Sequence, residues 1–564
     1  MDSITSAFAA DISLDTPWEL VTAFSRQPRE LPEDANRGAE MILDRLHALG
    51  LPAQMLQATL YMSNPIAASV ACGGVTYRAK PPAFSTSVPA GLTAPLVYVD
   101  ASSKPIGSDR MPTAYDPAIV GGRIVVTEGM ALPYVVGDFE AAGAIGVIAV
   151  NPGKNIHWGT VSTIWGTPGV EDIDRLPGIP SAAVNNPDGL ALIAAAKAGR
   201  SATLVTEMRT GWHLAKMPYV VIPGVAEPEK FVLLHGHYDS WDVGVGDNAT
   251  GNACLLEVAR VLWKNRRQLR RSVRVVWWAG HSTARYGGST WFADAFAMDL
   301  ARNCVVHMNC DSPGCRDAAT YPAISATPEC ESIVKDVVRA TTGKATTAKR
   351  PARNSDYSFH NIGISACFMA SSMMPPELVK AKGWYHVGGC GGNIAWHTED
   401  DQMDVADPDV LKRDIGVYLG AALAFANAER LPIDFALHAA DLRAALNEYQ
   451  QAVGTRFDLS PAVAALDALD RRVATLNTAP VPKFNDSVLR LARVLVPLNF
   501  ASGPRFTHDP AVNLPAIPPL SLCTQLDRWQ GDDLHFAMTS LLRGRNRVEA
   551  ALHEASDIID RALA

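Results

Sequence analysis

The sequence predicts an α/β core built on a parallel or mixed sheet, interrupted by a β-rich segment and followed by a helical region. Three observations predict it. Apolar runs at 231–234, 273–278, 304–309 and 366–369 recur at separations long enough for helices, as buried strands of such a sheet require. Between about 89 and 211 the apolar runs are short and punctuated by glycine and proline. From about Asp434 onward, apolar residues recur at helical spacing.

Length and composition bound the function. A chain of 564 residues exceeds one ordinary core, so two or three domains are expected. Apolar residues make up 48% and charged residues 19%, with mean hydropathy +0.03, the balance of a soluble globular protein. Net charge is -8 with a pI near 6.0 and no basic block, which excludes nucleic acid as the main partner. Residues 1–8 lack a basic stretch followed by an apolar core, so no signal peptide is expected, and no apolar run is long enough to predict a membrane span. The nine cysteines show no C-x-x-C spacing, and Cys254, Cys304, Cys310 and Cys367 fall in apolar patterns, where free thiols pack as small hydrophobes. A reducing, cytoplasmic setting is the expectation.

In chain order, 18–24 and 35–50 read as helices, the second with Ala39, Ile42, Leu43, Leu46 and Leu49 on one face and Gly50 as its stop. A strand follows near 57–62. The interruption contains strands at 94–99, 122–127 and 145–150, with a small helix at 138–144 before the last. That order, a G-G-x-I-V-V strand and then A-A-G-A-I-G-V-I-A-V, resembles the protease-associated domain. No catalytic residue types concentrate there, so a lid or substrate-shaping wall is the expected role. Helices are predicted at 436–446, 463–476, 487–496 and 547–562. These readings divide the chain into a core of 1–88 with 212–433, an insert of 89–211, and a C-terminal helical domain of 434–564. That last domain either packs on the core or forms a homodimer interface.

The chemistry concentrates where 231–234 runs into His235-Gly236-His237-Tyr238-Asp239-Ser240-Trp241 and then Gly244-Val245-Gly246-Asp247-Asn248-Ala249-Thr250-Gly251. Leu255, Val258, Ala259 and Leu262 continue as a helix. Strand ends of open α/β sheets collect ligands because loops and helix N-termini converge there. His237 offers an imidazole nitrogen, Asp239 a partner to hold that imidazole, and Asp247 an oxygen for a divalent metal. Alternatively, Asp247 only caps the helix. The other strands lead to His281 and Ser282, to Asp311 in Asn309-Cys310-Asp311-Ser312, and to His397 in Trp396-His397-Thr398-Glu399-Asp400-Asp401. Two histidines and two aspartates suffice for a metal pair sharing one bridging carboxylate.

H-x-D-S-W, G-x-G-D-N-A-T-G, N-x-D-S and W-H-T-x-x-D together resemble the co-catalytic zinc exopeptidases that include aminopeptidase Y, glutamate carboxypeptidase II and the transferrin receptor. The resemblance implies a three-layer core with helices on both faces of a mixed sheet. It also implies His237, Asp247 and Asp311 on one metal, and Asp247 and His397 on the other. One departure stands out. Where the family has two adjacent glutamates, a general base and a ligand of the second metal, this chain has His281 and Ser282. A serine hydroxyl is a poor ligand at neutral pH. His281 is either a ligand completing the second site with Asp247 and His397, a general base whose ordinary pKa of about 6.5 leaves it largely neutral, or a histidine without a role. Glu399, Asp400 and Asp401 are alternative bases or a solvated acidic face. Arg353 sits where the family has a substrate-contacting loop and is a candidate to hold a carboxylate, while Tyr385 is one to donate to an oxyanion. The Gly388–Gly392 run is read as letting the backbone pass close to the metals.

The expected activity is metal-dependent hydrolysis of an amide or peptide-like C–N bond in a small molecule or short peptide, with zinc the first choice and manganese or iron the alternatives, as one or two ions. Competing readings are a single-metal lyase or deaminase, and a non-catalytic binding protein, since the transferrin receptor keeps this architecture without the chemistry.

Overall fold

A computed structural model describes residues 3–100, 114–369 and 372–564; residues 101–113 of the expected insert, and Met1 and Asp2 at the start of the N-terminal reading, lie outside them. The strands are β1 (Gln54–Cys72), β2 (Val75–Ala79), β3 (Val88–Tyr98), β4 (Ile124–Glu128), β5 (Gly146–Val150), β6 (Ser181–Val184), β7 (Ser201–Ile222), β8 (Glu227–His237), β9 (Arg271–Trp278), β10 (Cys304–Asn309), β11 (Ile324–Ser325), β12 (Ala348–Lys349) and β13 (Ala366–Met369). Among the described residues, β1–β10 and β13 form one sheet, with the order β13-β10-β8-β9-β7-β3-β4-β5-β6 and β1 paired to β7 and β2. β13, β10, β8 and β9 are mutually parallel, whereas β7 runs antiparallel to β9. The result is the mixed α/β architecture that the apolar runs predict.

Burial explains why those runs lack alternation. Every residue from Phe231 through His237, and every residue of β10, is buried, so both faces of these central strands require apolar side chains. The helix Thr250–Lys264 covers them, with Leu255, Val258, Ala259 and Leu262 buried as its spacing predicts. The helix Pro32–Ala48 ends as expected, with Gly50 in the left-handed region at φ 76°.

Several elements are longer than the sequence suggests. The strand expected at 57–62 extends over the whole of β1, which pairs antiparallel with β7 from Gln54↔Tyr219 to Cys72↔Ala202. This ribbon links the two halves of the sheet, because β7 pairs with β9 through 219–222 and with β3 through 201–206. Residue 211 therefore falls inside a continuous strand rather than at a linker. The small helix is Pro133–Ala141 instead of 138–144: Pro133 starts it, and Gly143 at φ 86° follows its end. The last helix spans Gly531–Leu563, twice the expected length, because its first half buries only Ala537, Leu541 and Gly544, a stripe too sparse to read as helical.

The C-terminal helices Phe435–Val453, Ser460–Leu476, Val481–Phe500 and Gly531–Leu563 share one apolar cluster with the core, including Leu442, Leu466, Leu495 and Leu552. Polar bonds fasten them as well. Fully buried His438 contacts Glu329 of the core through Nδ1 (2.7 Å) and the Leu495 carbonyl through Nε2 (3.2 Å). Burial pushes the Glu329 carboxyl up, but the His438 charge and hydrogen bonds from His438, Ser365 and Thr327 outweigh it and hold the carboxyl below its ordinary 4.5.

Replacing His438 with Ala leaves that carboxylate buried without its partner and is expected to cost about 3–5 kcal/mol of unfolding free energy at pH 7, read by urea denaturation. A depressed carboxyl contributes stability that is complete above its ordinary value and is lost as pH falls through the lower folded value. The advantage of the native protein over Glu329→Gln is therefore expected to be full above pH 4.5 and to shrink below it.

Candidate metal centre

Three adjacent parallel strands deliver three of the predicted side chains. His237 ends β8, Asp311 lies two residues past β10, and His281 three past β9. This is the carboxyl edge of the sheet, where an α/β fold leaves a crevice. Asp247 lies in the turn Val245–Ala249, before a helix that carries no side-chain cap, so the capping alternative for Asp247 does not hold. Asn248 ties the turn to both neighbouring strands: its Nδ2 donates to the His237 and Cys310 carbonyls (3.1 and 2.9 Å), and its Oδ1 accepts from the Ser312 N–H (3.0 Å).

Four of the predicted ligands meet. Asp247 Oδ1 is 3.1 Å from His237 Nε2, Asp247 Oδ2 is 3.2 Å from His397 Nε2, and Asp311 Oδ1 is 3.8 Å from His237 Nε2. Both imidazoles face away from these carboxylates with their other nitrogen. His237 Nδ1 donates to the Asp239 carbonyl (2.9 Å), and His397 Nδ1 to the Trp158 carbonyl (3.0 Å). A carbonyl only accepts, so the proton belongs on Nδ1 and the Nε2 lone pair points at Asp247, the tautomer a metal ligand needs.

That arrangement calls for a cation. A lone pair opposed to carboxylate oxygens in a buried site is repulsive unless a proton or metal ion lies between. His237 Nε2 is buried and makes no well-formed hydrogen bond among the described residues. Beside it, a cavity of about 10 Å³, lined by His237, Asp239, Asp247, Ser282 and His397 among others, matches one water or ion. Burial opposes charge on His237 and Asp247, yet their mutual attraction, with Asp311 and His397, wins: the imidazole is held well above its ordinary value and the carboxyl well below. Two imidazoles and two carboxylates are the donor set of a divalent zinc-type ion, and the residues present fit one.

His281 also lies at this centre. Its ring stacks on that of His237 at 3.9 Å and 21°, and its Nδ1 lies 2.9 Å from Asp356 Oδ2. Its ligand atom groups with those of His237 and Asp311, all within 4.8 Å of one another, rather than with Asp247 and His397. Asp239 differs from expectation. Its backbone carbonyl, not its carboxylate, holds His237; Oδ1 is 3.9 Å from that ring nitrogen, and the carboxylate instead accepts the His281 backbone N–H (3.0 and 3.2 Å). The reach is short because the two residues are adjacent on the same side of a strand end, where main chain lies nearer than side chain.

The two substrate candidates are occupied elsewhere. Arg353 is buried, lies 4.0 Å over the Trp165 ring, and donates to the Asp509 and Pro510 carbonyls, so its charge is spent fastening the C-terminal region. Tyr385 Oη donates to His157 Nε2 (2.6 Å), and His157 Nδ1 donates to the Trp396 carbonyl (2.7 Å). Burial lifts Tyr385 to about 12 and drops His157 to about 4, which keeps both neutral. The acidic trio divides. Glu399 pairs with Lys80 (2.7 Å) and Arg78, and Asp400 is exposed near Lys154. Asp401 is buried beneath Asp247, where it accepts the Gly246 and Asp247 N–H groups (2.7 and 3.0 Å), and burial raises it to about 7. The glycine run serves Trp396, whose ring stacks on His397 at 3.6 Å: a Cβ on Gly389 would lie 2.6 Å from that indole.

Sequence reasoning missed Asp356, Asp401 as a holder of Asp247, and the Trp158 carbonyl. Asp356 sits in the loop that was singled out for Arg353, but nothing in its spacing shows which member faces the centre.

Replacing Asp247 with Asn is expected to abolish stable metal retention, read as zinc, manganese and iron per chain by elemental analysis after purification. Asp401→Asn sets an amide N–H against the Asp247 N–H and is expected to weaken metal affinity about 10–100-fold with the fold intact.

A model of Peptidase family M28 matches residues 219–419. A probable glutamate carboxypeptidase of Arabidopsis thaliana is 23% identical over 305 residues, 49% of this chain and 43% of the relative. A probable glutamate carboxypeptidase of Zea mays is 30% identical over 126 residues, 21% of this chain and 16% of the relative. The chain thus spans less than half the length of these curated relatives. Among solved structures, a zinc aminopeptidase from Bacillus subtilis superposes with TM-score 0.55 at 18% identity, over 73% of this chain and 95% of that one, a likeness of fold. Residues 219–419, which carry His237, Asp247, His281, Asp311 and His397, are thus similar to Peptidase family M28, and the likeness supports a co-catalytic zinc exopeptidase-like family.

Proposed function

We propose that this protein hydrolyses an amide or peptide-like C–N bond in a small molecule or short peptide, using a divalent metal held by His237, Asp247, Asp311 and His397, zinc foremost. The observation that carries the reading is the Asp247 carboxylate set between His237 Nε2 and His397 Nε2, at 3.1 and 3.2 Å. Such an ion supplies Lewis acidity, turning water into a nucleophile near neutral pH and polarising a carbonyl. The names of the relatives, glutamate carboxypeptidase and zinc aminopeptidase, support a peptide-like bond.

His281 is the proton acceptor in this reading. Nδ1 is committed to Asp356, which leaves Nε2 to take a proton from water at the cluster and return it to the leaving amine. Ser282 has no charge to offer a second ion, so the centre differs electrostatically from one built on two glutamates, and a specialised small amide is favoured over broad aminopeptidase action. A second reading has its own support: the grouping of His281 with His237 and Asp311 within 4.8 Å suits a ligand role.

His281→Ala separates the two. As a base, its loss is expected to lower kcat about 10²–10⁴-fold on an aminoacyl p-nitroanilide or N-acyl amino acid, with metal content unchanged. As a ligand, its loss removes metal together with turnover. Unchanged turnover would take His281 out of the mechanism.

A further inference from the structure

A glutamate base has two equivalent oxygens, whereas a histidine base works only if its proton sits on the correct nitrogen. Putting His281 in this position therefore creates a need for a partner that decides between Nδ1 and Nε2. Asp356 is fully buried, and its two oxygens are used differently. Oδ2 lies 2.9 Å from His281 Nδ1, and Oδ1 accepts from Ser289 Oγ at 2.8 Å. Ser289 Oγ is 2.8 Å from Ser358 Oγ, which accepts from Trp165 Nε1 at 2.9 Å. An ionised Asp356 only accepts, so the Ser289 proton turns to it at 2.8 Å in preference to the Tyr286 carbonyl at 3.2 Å; Ser289, its one proton used, accepts from Ser358, which accepts from Trp165. Every link supplies a proton to the next oxygen, and the terminal carboxylate is left able only to accept from His281. The remaining freedom of the ring is removed by His237 against one face and by Tyr286 edge-on at 4.9 Å and 83°.

We propose that Asp356 is a positioning residue of the reaction: it pins the His281 proton on Nδ1 and so aims the Nε2 lone pair at the metal cluster, with Trp165, Ser358 and Ser289 as the donor relay that keeps Asp356 an acceptor. This rests on the base role of His281 proposed above. It also gives the segment before β6 a part in the centre, since Trp165 starts the relay and the Trp158 carbonyl holds His397.

The test is Asp356→Asn in the zinc-loaded full chain. With the Ser289 proton facing the amide oxygen, the amide NH₂ turns to His281 Nδ1 and forces the proton to Nε2. With an aminoacyl p-nitroanilide as substrate, kcat is expected to fall about 10³-fold or more, while KM and zinc per chain stay unchanged. In a His281→Ala background the same substitution is expected to cost nothing further, because one residue acts through the other. Long-range ¹H–¹⁵N spectra of histidine-labelled protein, with the His281 signals identified by their loss in His281→Ala, are expected to move from the Nδ1–H to the Nε2–H pattern. Losses that add in the double variant, zinc lost along with activity, or an unmoved tautomer would each overturn the proposal. If the native protein cleaves no amide, the hydrolase reading falls, and the ¹⁵N pattern alone upholds or overturns the hold of Asp356 on His281.

Discussion

Asp247 sets one oxygen against His237 and the other against His397, and much of the surrounding structure serves to keep that carboxylate where a cation must join it. Asp401 receives the two backbone N–H groups at Gly246 and Asp247, so the turn cannot rotate its carboxylate away. Asn248 laces the turn to β8 and to the residues after β10. Arg29, fully buried, donates to the carbonyls of Tyr238, Val243 and Gly244 and holds the chain between His237 and Asp247. Each device uses main chain as donor or acceptor, so the Asp247 carboxylate is held in place through the backbone of its own turn.

The β-rich half of the sheet is joined to this centre rather than hung beside it. The β1–β7 ribbon passes through both halves, and the 157–165 segment reaches the centre at two points. One is the Trp158 carbonyl on His397 and the other is the Trp165 indole on Ser358. Lys80 supports the same wall, with Nζ 3.3 Å over the Trp158 ring and bonded to Glu399, two residues past His397. A segment that carries none of the converging histidines and carboxylates thereby reaches two of the histidines, His397 directly and His281 through Ser358, Ser289 and Asp356.

Much of the core was legible because buried parallel strands need unbroken apolar runs, and β8, β9, β10 and β13 are written that way. The four residues that converge at the candidate centre were legible as well, each being a polar residue just past such a run or in a distinctive motif. Side-chain partners were not. Arg353 looked free to bind a carboxylate, but long-range packing places it against Trp165 and the Asp509 and Pro510 carbonyls, 156 and 157 residues away. Asp356 is three residues from Arg353 and bonds to His281 and Ser289 instead, a distinction set by the fold of the loop rather than by residue type. The length of β1 also escaped, because past Met62 it buries Ser63 and Asn64 and exposes Ile66 and Ala67, and so did that of the last helix, whose first half buries only three residues.

By itself, the sequence determined the fold class, the strand ends that carry chemistry, and the identity of the residues able to bind a metal, because periodicity and donor chemistry are local properties. The His281-Ser282 departure is likewise a reading of the sequence, made from the resemblance of its motifs. Only the tertiary structure decided which nitrogen each histidine presents, that the Asp239 main chain rather than its carboxylate supports His237, and that His281 is paired with Asp356. Those choices depend on carbonyls and carboxylates brought together from distant parts of the chain, and a hydrogen bond depends on distances that sequence spacing does not encode.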